Sequence, residues 1–246
     1  IRRPPRSTLS SSSAASDVYK RQEENRYTNA FQFFKDSLTI YEQPNKIAEL
    51  DLDIPFNDHL IGEAYFFKNK KINKPMDFSG KNYMSLVEQH NFLIQLIFPE
   101  ISNSKSQLQL TESDYKFLLR EMSMLPRESE FPKYGEDYYD SYCKFFIYGN
   151  SKERMPHHVK IFNKVGLAYG FLLDNAYIVD FENKIEFFLS AVVYSNSNGV
   201  LNDDSYDYDT LTIPFLAEIG RAIYEYELER NREFDPDLSH LDRIES

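Results

Sequence analysis

The chain of 246 residues contains no tryptophan, one cysteine and only eight glycines. The single cysteine, Cys143, excludes an internal disulfide and a cysteine-based metal cluster. The longest apolar runs, such as "NFLIQLIF", have about eight residues, whereas a membrane-spanning helix needs roughly 20. The sequence therefore predicts a chain without a transmembrane segment, whose core is built largely from its 20 phenylalanines and 18 tyrosines.

Basic residues are scarce as well. The sequence has 28 Lys and Arg against 39 Asp and Glu, a net charge of −11, and it shows no basic stripe. This balance argues against nucleic acid or an anionic membrane surface as a partner.

The first 22 residues, "IRRPPRSTLSSSSAASDVYKRQ", lack an initiator methionine, an apolar core and any helical or strand periodicity. A secretory signal requires the apolar core, so this stretch is not one. It closely resembles translated sequencing-adapter sequence, and we expect a disordered artefact; a natural disordered basic tail is the alternative. The stretch holds five of the basic residues and one of the acidic, so without it the counts become 23 and 38 and the net charge −15.

The middle of the chain shows helical periodicity. Residues 84–100 place apolar side chains at helical spacing and end at a proline, and residues 110–125 begin with the N-cap residue Thr111. A third helix is predicted over residues 136–149, ending at Gly149.

The pattern then becomes that of strands. Residues 158–196 are rich in β-branched and aromatic side chains, with turn signals at Gly166, at Asp174-Asn175 and at Glu182-Asn183-Lys184. We expect a meander of three antiparallel strands, followed by a long helix over residues 213–231 that covers one face of the sheet. This order predicts an α+β layered domain.

A strand that ends in Lys-x-Gly, followed by two antiparallel strands and a helix, resembles the serine β-lactamase and penicillin-binding superfamily. With "ENRYTN" and "EMSMLPRES", the stretch beginning "FNKVGLAYG" resembles Bacteroidetes-type β-lactamase-related serine hydrolases, from Glu23 to about Glu229. The resemblance implies an incomplete α/β/α sandwich with an antiparallel sheet, whose N-terminal strands and nucleophile helix are missing. Residues 23–230 would be its C-terminal portion, and residues 231–246 a polar tail.

Enzymes of this kind use a serine one helical turn before a lysine (S-x-x-K), then a Ser-x-Asn element, then a Lys-Thr/Ser-Gly strand. The resemblance makes Lys164 the strand lysine, Gly166 the glycine that lets substrate approach the backbone, and Leu167 the donor of an oxyanion-hole N–H. Val165, at a substrate-binding position, lacks the hydroxyl that would bind an antibiotic's carboxylate. The alternative for Lys164 is a strand-end lysine with its amine in water.

The nucleophile has no convincing candidate upstream of this strand. Three S-x-x-K strings precede the strand: the first lies in a polar loop, the second in a capped first turn and the third in the predicted third helix. No suitable Ser-x-Asn element falls between them and the strand. We therefore expect the true nucleophile to be absent from this chain and the chain itself to be inactive. The three S-x-x-K strings are Ser102/Lys105, Ser113/Lys116 and Ser141/Lys144.

Other polar clusters have structural explanations. His157-His158 offers two metal ligands without a third, and the acidic stretch "NDDSYDYD" lacks the glycine and final glutamate of an EF-hand loop. Glu128 and Glu130 match no deacylation base of the family. We expect neither a metal nor a cofactor.

The sequence thus favours part of a serine hydrolase that acylates its serine and hydrolyses the acyl-enzyme. Its substrate would be a β-lactam or a peptidoglycan-type amide, and the parent protein would be periplasmic or envelope-associated. The alternative is a non-catalytic cell-envelope binding protein that kept the fold.

The adapter-like string gives a first testable prediction. We expect Ile1–Gln22 to be absent from the natural protein. Amplifying the locus from source DNA checks this, and an adapter-like string that is contiguous with Glu23 in the genome would refute it.

Overall fold

The computed structural model describes residues 27–28, 30–47, 58–79, 81, 84–101 and 108–244. They form two compact units, of which the first holds the described residues up to Met84 together with Gly199–Asp203, and the second holds the rest. The stretch predicted to be an adapter artefact lies outside the described residues. In chain order, the strands and helices are β1 (Tyr27–Thr28), β2 (Phe31–Lys35), β3 (Leu38–Gln43), β4 (Lys46–Ile47), β5 (Leu60–Ile61), β6 (Ala64–Phe67), β7 (Lys70–Ile72), β8 (Met76–Asp77), α1 (Leu86–Ile97), α2 (Glu112–Ser123), β9 (Val159–Ala168), β10 (Phe171–Asp180), β11 (Ile185–Tyr194), β12 (Val200–Leu201) and α3 (Ile213–Glu229).

The first unit is made of short strand pairs. β1 pairs with β4, β2 with β3 and β5 with β8, while β6 lies between an antiparallel β7 and a parallel β12. On the β2–β3 hairpin the rings of Phe31, Phe33 and Tyr41 contact one another, yet each is at least 40% exposed. An isolated two-stranded hairpin is marginally stable at best, so this exposed aromatic surface adds little to a core.

The second unit contains the predicted meander. β10 lies between β9 and β11, and all three strands run antiparallel in ten-residue register. Helices α1 and α2 pack on one face through a cluster that includes Leu93, Leu119 and Tyr177. Helix α3 packs on the other face through Leu216, in a cluster with Ile178. The prediction of a mixed α+β domain with an antiparallel sheet is confirmed.

Capping residues begin the two helices on the first face. Ser85 accepts the N–H of Glu88 before α1, and Thr111 accepts the N–H of Asp114 before α2; both acids return a hydrogen bond to the cap. These are capping boxes, which satisfy otherwise unpaired N–H groups at a helix start. The predicted N-cap Thr111 is confirmed, as is the closing helix with Pro214 in its first turn.

The predicted third helix over residues 136–149 is wrong: this stretch consists of turns. Cys143 and Ile147 have φ of 60° and 67°, which a right-handed helix does not permit. The N–H groups of Phe145 and Phe146 donate to the buried carboxylate of Asp174, at 3.0 and 3.4 Å, instead of to helical carbonyls. A tertiary contact therefore overrides the local helical pattern.

Two of the three predicted turns are also wrong. Gly166 lies inside β9, and Asp174 and Asn175 lie in the buried centre of β10. The first turn is Tyr169-Gly170, whereas the second lies between β10 and β11 as expected. Polar residues in mid-strand look like a turn in sequence, and only their buried hydrogen-bond partners explain their position.

The segment predicted to be a polar tail contributes to the core. Leu241, in a short 3₁₀ helix, is 3% exposed and belongs to the cluster under α1 and α2. The ring of His240 lies 4.8 Å from that of Phe98. Part of residues 231–244 therefore packs with the second unit.

Replacing Asp174 should test how far the 145–146 backbone depends on its carboxylate. Asp174→Ala leaves buried donors of Asn163, Phe145 and Phe146 without their acceptor, and an unsatisfied buried donor costs about 1–3 kcal/mol. We expect the free energy of unfolding, measured in urea, to fall by about 3 kcal/mol or more, while its dependence on urea concentration stays the same. The exposed Asp137→Ala is the control, and an equal loss in both variants would contradict the role of Asp174.

Candidate functional site

The β9–β10 turn decides which backbone groups of β9 face outward. Tyr169 and Gly170 both have positive φ, 56° and 89°, as a two-residue type I′ turn requires. Ala168 and Phe171, which flank the turn, oppose each other and exchange both backbone hydrogen bonds. Bonded and non-bonded pairs then alternate along the ladder, so every second residue of β9 turns its N–H and C=O away from β10.

This alternation sorts the predicted site residues into two sets. Lys164 and Gly166 bond β10 through their backbone, whereas Val165 and Leu167 turn their N–H and C=O to the outer edge of β9. In the described part of the sheet, β9 is an edge strand. The Leu167 N–H thus has the orientation that an oxyanion donor on an edge strand needs.

Lys164 lies at this edge with its amine outside the core. Its side chain is exposed, and Nζ donates to the outward-facing carbonyl of Val165 at 2.9 Å. A buried ammonium would need a partner to offset its desolvation, and here solvent and one carbonyl suffice. The amine is therefore accessible to a ligand that approaches the outer edge of β9.

Gly166 is a glycine that the fold does not require. A Cβ at this position would meet only Leu173, at 3.8 Å, which is ordinary contact. By contrast, a Cβ at Gly220 would come within 2.4 Å of the Ile147 nitrogen, and Gly170 has the positive φ of the turn. Since glycine weakens a strand interior, its presence here has no explanation in packing.

The side chain of Val165 points away from that of Lys164. It packs against the cluster beneath α3, which includes Ile161 and Leu216, because successive residues of a strand alternate between faces. A threonine at this position would place its hydroxyl on the α3 face. Only the backbone N–H and C=O of Val165 therefore face the outer edge of β9. A role of its side chain in substrate binding stays a prediction.

A polar row that sequence reasoning missed crosses the sheet beside Lys164. Lys164, Asn175 and Ser190 are direct cross-strand partners on the α1 face. Ser190 donates to Asn175 Oδ1 at 2.5 Å, and Asn175 Nδ2 donates to the Gln89 carbonyl at 2.9 Å. His90 Nδ1 lies 2.7 Å from Ser190 Oγ. These hydrogen bonds connect α1 to the middle of the sheet.

The direction of these bonds limits the chemistry of the Ser190–His90 pair. Ser190 has one hydroxyl proton, which Asn175 accepts, so His90 Nδ1 is the donor in the His90–Ser190 contact. A histidine that donates to a serine does not activate it as a base would. No motif marks either residue in the sequence, because neither has a partner nearby in the chain.

A second polar network lies buried beneath the first half of β9. Lys144 is 4% exposed, and Nζ donates to the Met122 carbonyl and to Asn163 Oδ1, both at 2.6 Å. Asn163 Nδ2 in turn donates to Asp174 at 2.8 Å and to the Cys143 carbonyl at 2.7 Å. The network holds the 143–146 segment against the sheet.

Burial changes the acidity of both charged members of this network. Desolvation lowers the pKa of Lys144 to about 8, although the nearby Asp174 carboxylate opposes the change. Desolvation raises the pKa of Asp174 to about 6, and the hydrogen bonds from Asn163, Phe145 and Phe146 oppose that rise. Each group would be more easily neutralised here than in water.

The S-x-x-K strings supply no activated serine among the described residues. Ser141 Oγ donates to the Ser151 carbonyl at 2.6 Å, whereas the amine of Lys144 is held by other acceptors. Ser113 Oγ contacts the N-cap Thr111 at 2.9 Å, which is a capping arrangement. Ser102/Lys105 lies outside the described residues.

The remaining clusters have structural partners. His157 and His158 lie in the turn before β9 with their rings 5.5 Å apart, and His158 Nδ1 is 3.2 Å from Glu182. Glu128 accepts the Leu125 N–H at 2.9 Å and so caps a short 3₁₀ helix, and the exposed Glu130 is not part of that cap. Within the described ranges, no group of three or more His, Cys, Asp or Glu side chains could hold a metal ion.

Comparisons with protein-family models, with curated proteins and with solved structures found no match for this chain. Among the described helices, none combines the length and apolarity needed to cross a bilayer.

The buried ammonium of Lys144 should make stability depend on pH. With its folded pKa lowered to about 8 and a typical unfolded pKa of about 10.4, the unfolded chain binds more protons between these values. Stability therefore rises with pH in that window. We expect the free energy of unfolding of wild type to increase relative to that of Lys144→Met between about pH 8 and 10, by at most about 1.4 kcal/mol per pH unit.

Urea unfolding at each pH measures this difference, with the exposed Lys133→Met as the matched control. The quantity compared is the free energy of unfolding of wild type minus that of Lys144→Met. A difference that stays constant over the window, or that falls as pH rises, would contradict the prediction.

Proposed function

We propose that the outer edge of β9 is part of the substrate site of a serine hydrolase of the β-lactamase type. Lys164 binds an anionic group of the substrate, and the Leu167 N–H donates to the oxyanion that forms during acyl transfer. The observation that carries the proposal is this edge itself: an accessible amine and an outward N–H separated by a glycine that packing does not require.

The chemistry needs both groups at one edge. Attack of a serine hydroxyl on an amide carbonyl places negative charge on the carbonyl oxygen, and a fixed backbone N–H stabilises that charge without reorganisation. The side-chain amine supplies a positive charge beside a substrate carboxylate. An edge strand offers both, because its outward N–H groups have no partner strand in the described sheet.

The layers of the second unit are consistent with this reading. An antiparallel sheet with α1 and α2 on one face and α3 on the other is the arrangement that an α/β/α sandwich of the family would require. The proposal extends the observed α+β architecture to that finer class.

The nucleophile in this proposal lies outside the described residues. Its hydroxyl proton passes to a neighbouring base, its oxygen forms an ester with the substrate carbonyl, and the amine leaves with a proton. Water then hydrolyses the ester and restores the serine. The substrate class is a β-lactam or a related peptidoglycan-type amide, which places the parent protein in the periplasm or envelope.

A non-catalytic cell-envelope binding protein is the second candidate. It is favoured by Val165, which lacks the hydroxyl that would bind an antibiotic's carboxylate and whose side chain packs against the cluster beneath α3. Such a protein would bind the same anionic ligands at Lys164 without forming an ester.

Lys164→Ala in the parent protein that the proposal assumes tests the proposal. We expect acylation by a fluorescent penicillin to fall about 100-fold or more, the usual loss for one electrostatic contact in the transition state. Circular dichroism should be unchanged, because the amine is exposed. Lys160→Ala is the matched control, since Lys160 lies on the same strand and face.

The outcomes separate the two candidates. Acylation that is robust and equal in wild type and Lys164→Ala would remove Lys164 from the site. Penicillin binding at equilibrium without ester formation, abolished by Lys164→Ala, would favour the binding protein.

A further inference from the structure

The acidic stretch "NDDSYDYD" places one of its tyrosines in the core of the second unit. Tyr208 is 6% exposed and belongs to the cluster beneath α3. It begins a single π-helical turn, Tyr208–Thr212, in which the Thr212 N–H donates to the Asp207 carbonyl five residues earlier. Such turns are rare and occur frequently at functional sites. A stretch that looks like a solvated loop in sequence therefore contributes a buried side chain.

The Tyr208 hydroxyl contacts the turn between β9 and β10. It accepts the Gly170 N–H at 2.8 Å, and this hydrogen bond is buried. The Gly170 carbonyl accepts the Ser195 N–H, also at 2.8 Å. A Cβ on residue 170 would come within 3.0 Å of the Ser195 carbonyl oxygen. Residues outside the β9–β10 hairpin therefore hold both the N–H and the C=O of Gly170.

The same π-helical turn also contacts the end of β11. Thr212 is fully buried, and its Oγ1 lies 3.2 Å from the Oγ of Ser195, the residue that follows β11. Tyr208 and Thr212 thus contact two neighbouring points, the β9–β10 turn and the end of β11. The segment that leads into α3 supports this end of the sheet.

The orientation of Leu167 depends on this support, because Leu167 makes no backbone hydrogen bond to β10. Its N–H and C=O face outward, so its position is set by the bonded pairs before and after it. The pair after it, Ala168–Phe171, is the last before the turn, and both Leu167 and Ala168 are exposed. A hairpin by itself is marginally stable, so this end of the ladder would open readily without the contacts at Gly170.

We propose that Tyr208 is a positioning residue for the Leu167 N–H, the proposed oxyanion donor. Its hydroxyl holds the β9–β10 turn, the held turn keeps the last backbone pair closed, and the closed pair orients the Leu167 N–H. This inference rests on the proposed hydrolase function. A donor stabilises an oxyanion without reorganisation only if it is already oriented when the charge forms, which requires a geometry fixed within about 0.5 Å.

The proposal separates two properties of the site. Lys164 lies further from the turn, in a bonded pair with Asn175, so its binding of an anionic group does not depend on the turn. Loss of the Tyr208 hydroxyl should therefore slow acyl transfer without weakening substrate binding. Loss of the Lys164 amine should weaken binding itself.

Hydrogen exchange of this chain tests the structural step. Tyr208→Phe keeps the ring in the core and leaves the buried Gly170 N–H without its acceptor. We expect the N–H groups of the Ala168–Phe171 pair to exchange at least about tenfold faster, because an unsatisfied buried donor favours the open form. Tyr224→Phe is the matched control, since it removes a hydroxyl that is hydrogen-bonded at the opposite end of β10. It should leave these exchange rates unchanged.

Acylation by a fluorescent penicillin, in the parent protein that the proposed function assumes, tests the functional step. Tyr208→Phe should lower the acylation rate constant at saturating penicillin about tenfold or more, while the dissociation constant of the initial complex stays the same. A merely structural role would not separate the two constants in this way. Tyr224→Phe should change neither constant.

The outcomes distinguish this proposal from the proposed function. Equal exchange of the Ala168–Phe171 pair in wild type and Tyr208→Phe would overturn the positioning role. Acylation that Lys164→Ala lowers and Tyr208→Phe leaves intact would also overturn it, with the hydrolase function unaffected. If wild type is not acylated at all, the hydrolase function fails and the positioning role fails with it.

Discussion

The buried carboxylate of Asp174 is the contact on which the second unit depends most. It accepts the backbone N–H groups of Phe145 and Phe146 and the amide of Asn163, and Asn163 passes the network on to Lys144. Four parts of the chain meet there: β9, β10, the 143–146 segment and, through the Met122 carbonyl, the end of α2. A charge without these partners would be too costly to bury.

That network also borders the proposed site. Asn163 holds the Cys143 carbonyl, so the 143–146 segment lies beside this part of β9, and the side chain of the next residue, Lys164, is exposed. Gly220 lets α3 pack closely against the backbone at Ile147, because a Cβ on residue 220 would come within 2.4 Å of the Ile147 nitrogen. Buried polar contacts and an exposed amine thus belong to adjacent residues of β9, Asn163 and Lys164.

Charge and polarity are distributed unevenly over the meander. The α1 face changes from apolar to polar at the row of Lys164, Asn175 and Ser190, next to the aromatic row of Phe162, Tyr177 and Phe188. β9 carries two lysines, Lys160 and Lys164, whereas the only charged residue of β11 is Glu186. The positive charge of β9 is compatible with the anionic substrate group that we propose for it.

The sequence by itself determined the elements whose signals are local. Apolar spacing and caps located α1, α2 and α3, and β-branched and aromatic composition located the meander, because periodicity and capping act within a few residues. Lys164, Gly166 and Leu167 were named from a resemblance to a family motif, and their role in a site stays a prediction. Tertiary structure alone decided the 136–149 segment and the places of Asp174, Asn175, Ser190 and His90. Their partners lie far away in sequence, and a buried hydrogen bond leaves no local pattern from which its partner can be inferred.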